Sequence, residues 1–232
     1  MKRPPLSHQL SSFMTYLARQ MAGGAETLPS LNDLSDELGV SIASLREALQ
    51  VARAMGLVEV KPRTGIKCLP YRFAPAVTRS LAFAVSVEPD SFRHYSDLRN
   101  HVEASYWYQA VNCLTPSDIE ELQDIIRIAN QKLQSDPIQI PQTEHRRLHM
   151  IIYRRLDNEF VQGILESYWD IYDAVGLSIY EDRKYLERVW RYHQQMVDAI
   201  ARHDHLAGYQ ALIAHMDLLF QRETQHTYLP FE

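Results

Sequence analysis

His145 and His149 stand four residues apart and flank Arg146 and Arg147 in the run EHRRLHMIIYRR, residues 144–155. Three chemistries fit that spacing. On a helix the two imidazoles lie about 40° apart and can reach one cation. The two arginines can instead form a basic patch for nucleic acid, or all four side chains can be an ordinary polar helix face. Ten histidines occur in the chain, and His94, His101, His203, His205 and His226 read as surface groups. Cys68 and Cys113 show neither metal nor redox spacing.

The elements that position these residues come from two compositionally different parts. Residues 1–72 carry nine Lys/Arg against six Asp/Glu, a balance of +3, so the net charge of −5 leaves the remainder at −8. A basic head on an acidic body implies that only the head meets a polyanion. With 232 residues, 46% of them hydrophobic and 10% aromatic, the chain has ample material for a buried core. No apolar stretch approaches the ~18 residues of a membrane span, and MKRPPLSHQL lacks the apolar core of a signal peptide. A soluble, reducing, cytoplasmic setting is expected, with no membrane partner.

In the head, Leu6, Leu10, Phe13, Met14, Leu17 and Met21 share one helical stripe over 6–21, which Gly23-Gly24 ends. Ser30 with Asp33 predicts a capped helix running to Gly39, where a left-handed residue stops it. Ser41 caps a second helix over 41–55, with Leu45, Ala48, Leu49 and Ala52 inward and Gly56 as its stop. Two short helices on a glycine turn make a helix-turn-helix. The alternation in LVEVKPRTGIKCLP (57–70) predicts a hairpin behind it.

This winged helix-turn-helix pattern resembles the GntR family of bacterial transcription regulators. The residues that carry the resemblance are LPS (28–30), Leu34, GVS (39–41), LREAL (45–49), GLV (56–58) and the wing around Gly65. It implies double-stranded DNA as partner. The N-terminal end of the second helix would enter a major groove, which makes Ser41, Ile42, Ser44, Leu45 and Arg46 the candidates for bases and phosphates. A guanidinium can fork onto guanine or clamp a phosphate, so Arg46 leads that set. Lys61, Arg63, Thr64 and Lys67 in the wing would add salt-sensitive phosphate contacts. The chain departs from the family at Ile42, where arginine is usual after GVS, and in a wing that reads Arg63-Thr64-Gly65.

Pro70 and Pro75 bracket a linker, placed at 73–88, between a DNA-binding domain (1–72) and a second domain (89–232). Beyond the linker the pattern is helical throughout. Thr115-Pro116-Ser117-Asp118 starts one helix with a threonine cap and proline in the first turn, and SDPIQIP (135–141) is a loop. Helices are expected near 90–113, 142–156, 158–180, 182–202 and 205–225. The fold class is therefore mostly α, a winged head followed by an all-helical antiparallel bundle.

Such a bundle after such a head resembles the FadR subfamily, whose C-terminal ligand-sensing domain is called FCD. The resemblance rests on LRNHVE (98–103), HRRLH (145–149), LDN (156–158), YHQQMVDAI (192–200), Asp204, Ala207 and His215. It implies a divalent metal held by His145, His149, His193 and His215, with histidine at 145 where relatives carry aspartate. It also implies a homodimer and an effector pocket reached by Arg99, which could pair a small carboxylate; an intrahelical pair with Glu103 is the alternative.

Spacing supports the histidine set independently. His193 and His215 lie equally far before and after Asp204, so an antiparallel helix pair turning there sets both about 16 Å from the turn. Four neutral imidazoles without a carboxylate favour zinc or nickel over magnesium or calcium. Arg146 and Arg147 fall off the inward face as solvated or dimer-surface charges. Tyr106, Tyr168, Trp169 and Tyr172 could line the pocket.

The expected function is a ligand-responsive regulator acting on a two-fold operator. The rival readings are a metal-dependent hydrolase built on His203-Asp204, against which Asp204 reads as a helix cap, and a purely structural role.

Overall fold

The computed structural model describes residues 10–61, 65–175 and 183–220. The chain divides into two units, cut between Arg79 and Ser80.

The first unit opens with α1 (Ser12–Ala22), capped by Ser11, whose hydroxyl accepts from the Met14 N–H. Phe13, Met14 and Leu17 face inward as the stripe predicts, and Leu6 lies outside the described residues. In α2 (Leu31–Leu38) Ser30 and Asp33 form a reciprocal capping box, and Gly39 closes the helix at φ 63°. Ser41 then caps α3 (Ile42–Ala54) through the Ser44 N–H. Behind the two helices lies a three-stranded antiparallel sheet in the order β1 (Thr27–Leu28), β3 (Gly65–Cys68), β2 (Val58–Lys61). Val58 pairs with Cys68 and Lys61 with Gly65, the expected hairpin. The third strand, Thr27–Leu28, was not expected; it pairs with Lys67 and Ile66. Phe13, Leu17, Leu34, Leu45, Ala52 and Val58 bury one core among these elements.

The stretch 73–88, expected as a linker, is helical. It forms α4 (Ala74–Val87). Pro75 marks a helix start here rather than a break, because a proline in the first turn gives up an N–H that has no intrahelical partner.

In the second unit Leu81 and Val85 of α4 pack with Phe92, Tyr168 and Trp169. There follow α5 (Ser91–Asn112), α6 (Pro116–Gln134), α7 (Gln142–Tyr153), α8 (Glu159–Ala174), α9 (Arg183–Ala201) and α10 (His205–Phe220). Thr115 and Asp118 complete a second capping box at α6. Helix α9 packs on α10 and α6, while α7 is enclosed by α5, α6 and α8.

Polar ties fix α7 on both sides. Lys132 donates to both oxygens of the buried Glu144 at 2.9 and 2.8 Å. Arg147 and Arg154 reach Glu121, and Arg146 reaches Asp170 at 2.7 Å. The two arginines of HRRLH are thus partly exposed and paired within the chain.

Candidate functional site

The turn between α9 and α10 sets the geometry of half the site. His203 takes the left-handed conformation, φ 57°, and its N–H donates to the Ile200 carbonyl while that of Asp204 donates to Ala199. Asp204 then caps α10, its Oδ1 accepting from the Ala207 N–H at 3.0 Å. The two helices return antiparallel from this point, and the rings of His193 and His215 meet 4.4 Å apart.

The inward face of α7 supplies the other half. The His145 ring lies 4.8 Å from that of His193 and 5.7 Å from that of His215, and the His149 ring lies 5.2 and 5.3 Å from the same two. One nitrogen of each of the four residues falls within 4.8 Å of all the others. His149 and His193 are fully enclosed, His215 nearly so, and His145 half-buried.

Burial disfavours the imidazolium, so desolvation drives His149, His193 and His215 well below the ordinary histidine range. They are therefore neutral, the form in which imidazole binds a metal. Nδ1 of His193 and Nδ1 of His215 are buried with no hydrogen-bond partner, which for a polar atom is costly unless something meets it. Neutral donors converging on one point with unsatisfied nitrogens fit a divalent cation.

Two further groups complete the chamber. Arg99 is 3% exposed, and its guanidinium lies over the rings of Tyr168 and Trp169 at 4.7 and 5.4 Å. Its Nη2 donates to Glu103 Oε1 at 2.9 Å and lies 2.8 Å from His149 Nδ1. The intrahelical pair with Glu103 and a place beside the histidines thus coexist. Glu103 was not among the residues expected at the site. It is fully buried, and desolvation pushes its carboxyl up to about 7 against the opposing pull of Arg99 and His215. The one sequence signal for it was its spacing four after Arg99.

Of the aromatics expected to line a pocket, Trp169 and Tyr172 stand 4.7 and 6.0 Å from the His145 ring. Tyr106 does not join them; its hydroxyl accepts from Asn158 at 3.3 Å. Trp190, which was not expected, lies 4.9 Å from His193. His94, His101 and His203 are exposed, His205 is half-buried, and His226 lies outside the described residues.

On the head, Ser44 and Arg46 of α3 are exposed and Ile42 is half-buried. Ser41 is exposed, with its hydroxyl spent on the Ser44 N–H and Oγ. Leu45 was expected both inward and among the DNA-facing residues; it is 0% exposed in the head's core, as the inward stripe implies, and has no surface to offer a base. The outward positions beside Arg46 that the sequence reading left out are Ala43, Glu47 and Gln50. In the wing, Lys61 contacts Glu59 at 3.0 Å and Lys67 is exposed. Arg63 and Thr64 lie outside the described residues.

Comparison with known proteins places both parts. Residues 22–67 match the family of bacterial regulatory proteins termed gntR, and residues 95–218 match the FCD domain. The chain is 25% identical to the HTH-type transcriptional repressor NanR of Enterobacter sp. (strain 638), over 94% of this chain and 86% of that one. It is 19% identical to the HTH-type transcriptional regulator LutR of Bacillus subtilis (strain 168), over 82% and 88%. Among solved structures, a GntR protein of Streptococcus agalactiae shares the fold at TM-score 0.67 and 14% identity, covering 91% of this chain and 98% of that one.

Proposed function

The chain belongs to the gntR family of bacterial regulatory proteins, in the group that carries an FCD domain, and from that premise we propose that its bundle is a metal-containing sensor of a small carboxylate. The protein is a transcription regulator, as its relatives are. The finer assignment rests on the convergence of His145, His149, His193 and His215 beside a buried arginine.

The four histidines would hold the ion. Zinc or nickel suits nitrogen donors better than magnesium or calcium does. The metal would supply positive charge that favours an anionic effector. Arg99 is the side chain placed to pair that effector's carboxylate bidentately. Ser41, Ile42, Ser44 and Arg46, with Lys61, Arg63, Thr64 and Lys67, form the DNA-facing set. Two copies of the chain would present two such heads to a two-fold operator, and effector binding would shift the population between head arrangements of different DNA affinity.

The hydrolase reading has no comparable support. Asp204 is engaged as a helix cap, and the relatives named are regulators.

The test is binding to the DNA upstream of the protein's own gene across a salt series. Affinity should fall steeply as salt rises, and the loss of all binding even at low salt would overturn the reading. A thermal-shift screen of small carboxylates with and without zinc should find stabilisation that needs both; carboxylates that act equally without zinc would remove the metal from the sensing step.

A further inference from the structure

His149 Nδ1 faces two groups that make opposite demands on it. Glu103 Oε1, 3.1 Å away, can only accept when ionised, whereas Arg99 Nη2, 2.8 Å away, can only donate. On the far side of the ring, His149 Nε2 stands 3.2 Å from His193 Nε2. With Glu103 ionised, two proton arrangements fit this set. In the first, Arg99 donates to both Glu103 and His149 Nδ1, and His149 Nε2–H donates to His193. In the second, His149 Nδ1–H donates to Glu103, and the Nη2 of Arg99 must turn from the ring because two N–H groups would otherwise meet at 2.8 Å. Only the second leaves a lone pair on His149 Nε2, the nitrogen directed at the cluster.

Resting on the reading of the cluster as a metal site, we propose that Glu103 is a positioning residue that holds His149 in its Nδ1–H tautomer, with Arg99 as the competing donor at the same nitrogen, so that cation uptake turns Arg99 away from His149. Three observations carry this. The backbone at Glu103 on α5 is tied to α7, the helix of His149, since the Tyr153 hydroxyl donates to the Glu103 carbonyl at 3.0 Å. Its Oε2 is buried and unpartnered, as is Nε of Arg99, so both groups retain unused hydrogen-bonding capacity. The cluster's own donors are all imidazoles, and Glu103 is a buried carboxylate that touches one of them and can offset a cation's charge. A carboxylate behind a ligating imidazole fixes its tautomer and raises its basicity.

The experiment is zinc affinity by chelator competition for wild type, His193→Ala, Glu103→Gln and the double variant Arg99→Met/Glu103→Gln. The double variant removes both buried charges together and so avoids leaving one unpaired. Glu103→Gln should weaken zinc about 10- to 100-fold, and the double variant, which also removes the competing donor and its charge, should regain part of that loss. Affinity within twofold of wild type in both would overturn the proposal, provided that His193→Ala loses zinc; if His193→Ala binds as wild type does, the metal reading itself falls. Nitrogen-15 NMR of zinc-loaded wild type gives an answer independent of any variant. The His149 proton should reside on Nδ1, and a zinc-bound His149 Nδ1 would overturn the proposal.

Discussion

Asp118 shows how strongly a single side chain can be committed in this fold. It is fully buried, closes the capping box of α6, and receives Arg154 and Arg155 from the end of α7. The hydrogen bond from Arg155, followed by those from Thr115 and Arg154, outweighs desolvation and holds its carboxyl well below the usual range. A carboxylate depressed in this way stabilises the fold above its unfolded value, near pH 4, and that stabilisation is lost as pH falls through the lower folded value. Asp118→Asn should therefore cost about 2 kcal/mol at neutral pH, and the gap in melting temperature from wild type should narrow below about pH 4. A gap that stays constant with pH would show that charge is not the source. Leu45 and Arg46 separate two effects at adjacent positions. Leu45→Ala empties a sealed core and should cost about 2–5 kcal/mol in the head, read as loss of its melting transition. Arg46→Ala should leave melting unchanged and weaken DNA binding with a shallower salt slope.

At the scale of elements, local rules were legible and tertiary ones were not. Ser30 with Asp33 and Thr115 with Asp118 form the caps their spacing implies, because a capping box is settled within four residues. The α9–α10 turn was legible for the same reason, through Asp204 and the equal spacing of His193 and His215. Strand β1 was not, since two residues become a strand only when Lys67 and Ile66 arrive to pair with them. Helix α4 was not legible as a helix because proline serves equally as a helix start and as a breaker. Glu103 was legible only as a partner for Arg99, because its contact with His149 spans 46 residues of sequence. The α9–α10 pair also yields a stability prediction. An added Cβ at Gly208 would stand 2.7 Å from the fully buried Trp107 ring, whose Nε1 is pinned to the His205 carbonyl. Gly208→Ala should thus destabilise the bundle by about 1–3 kcal/mol, measured by denaturant unfolding. An unchanged midpoint would mean that Trp107 moves freely.

For the whole molecule, a positively biased head and a negatively biased body divide the work: one unit carries a family match for DNA-binding regulators, the other a match for the FCD domain. Among the described residues no helix is long and apolar enough to cross a membrane. The ion-binding reading depends on helices α7, α9 and α10 delivering four imidazoles to one point, an arrangement whose nitrogens lie within 4.8 Å of one another. Its most direct test is elemental analysis of protein purified without chelator. The account predicts about one zinc or nickel ion per chain in wild type and loss of that ion in His193→Ala; equal metal content in the two proteins would contradict it.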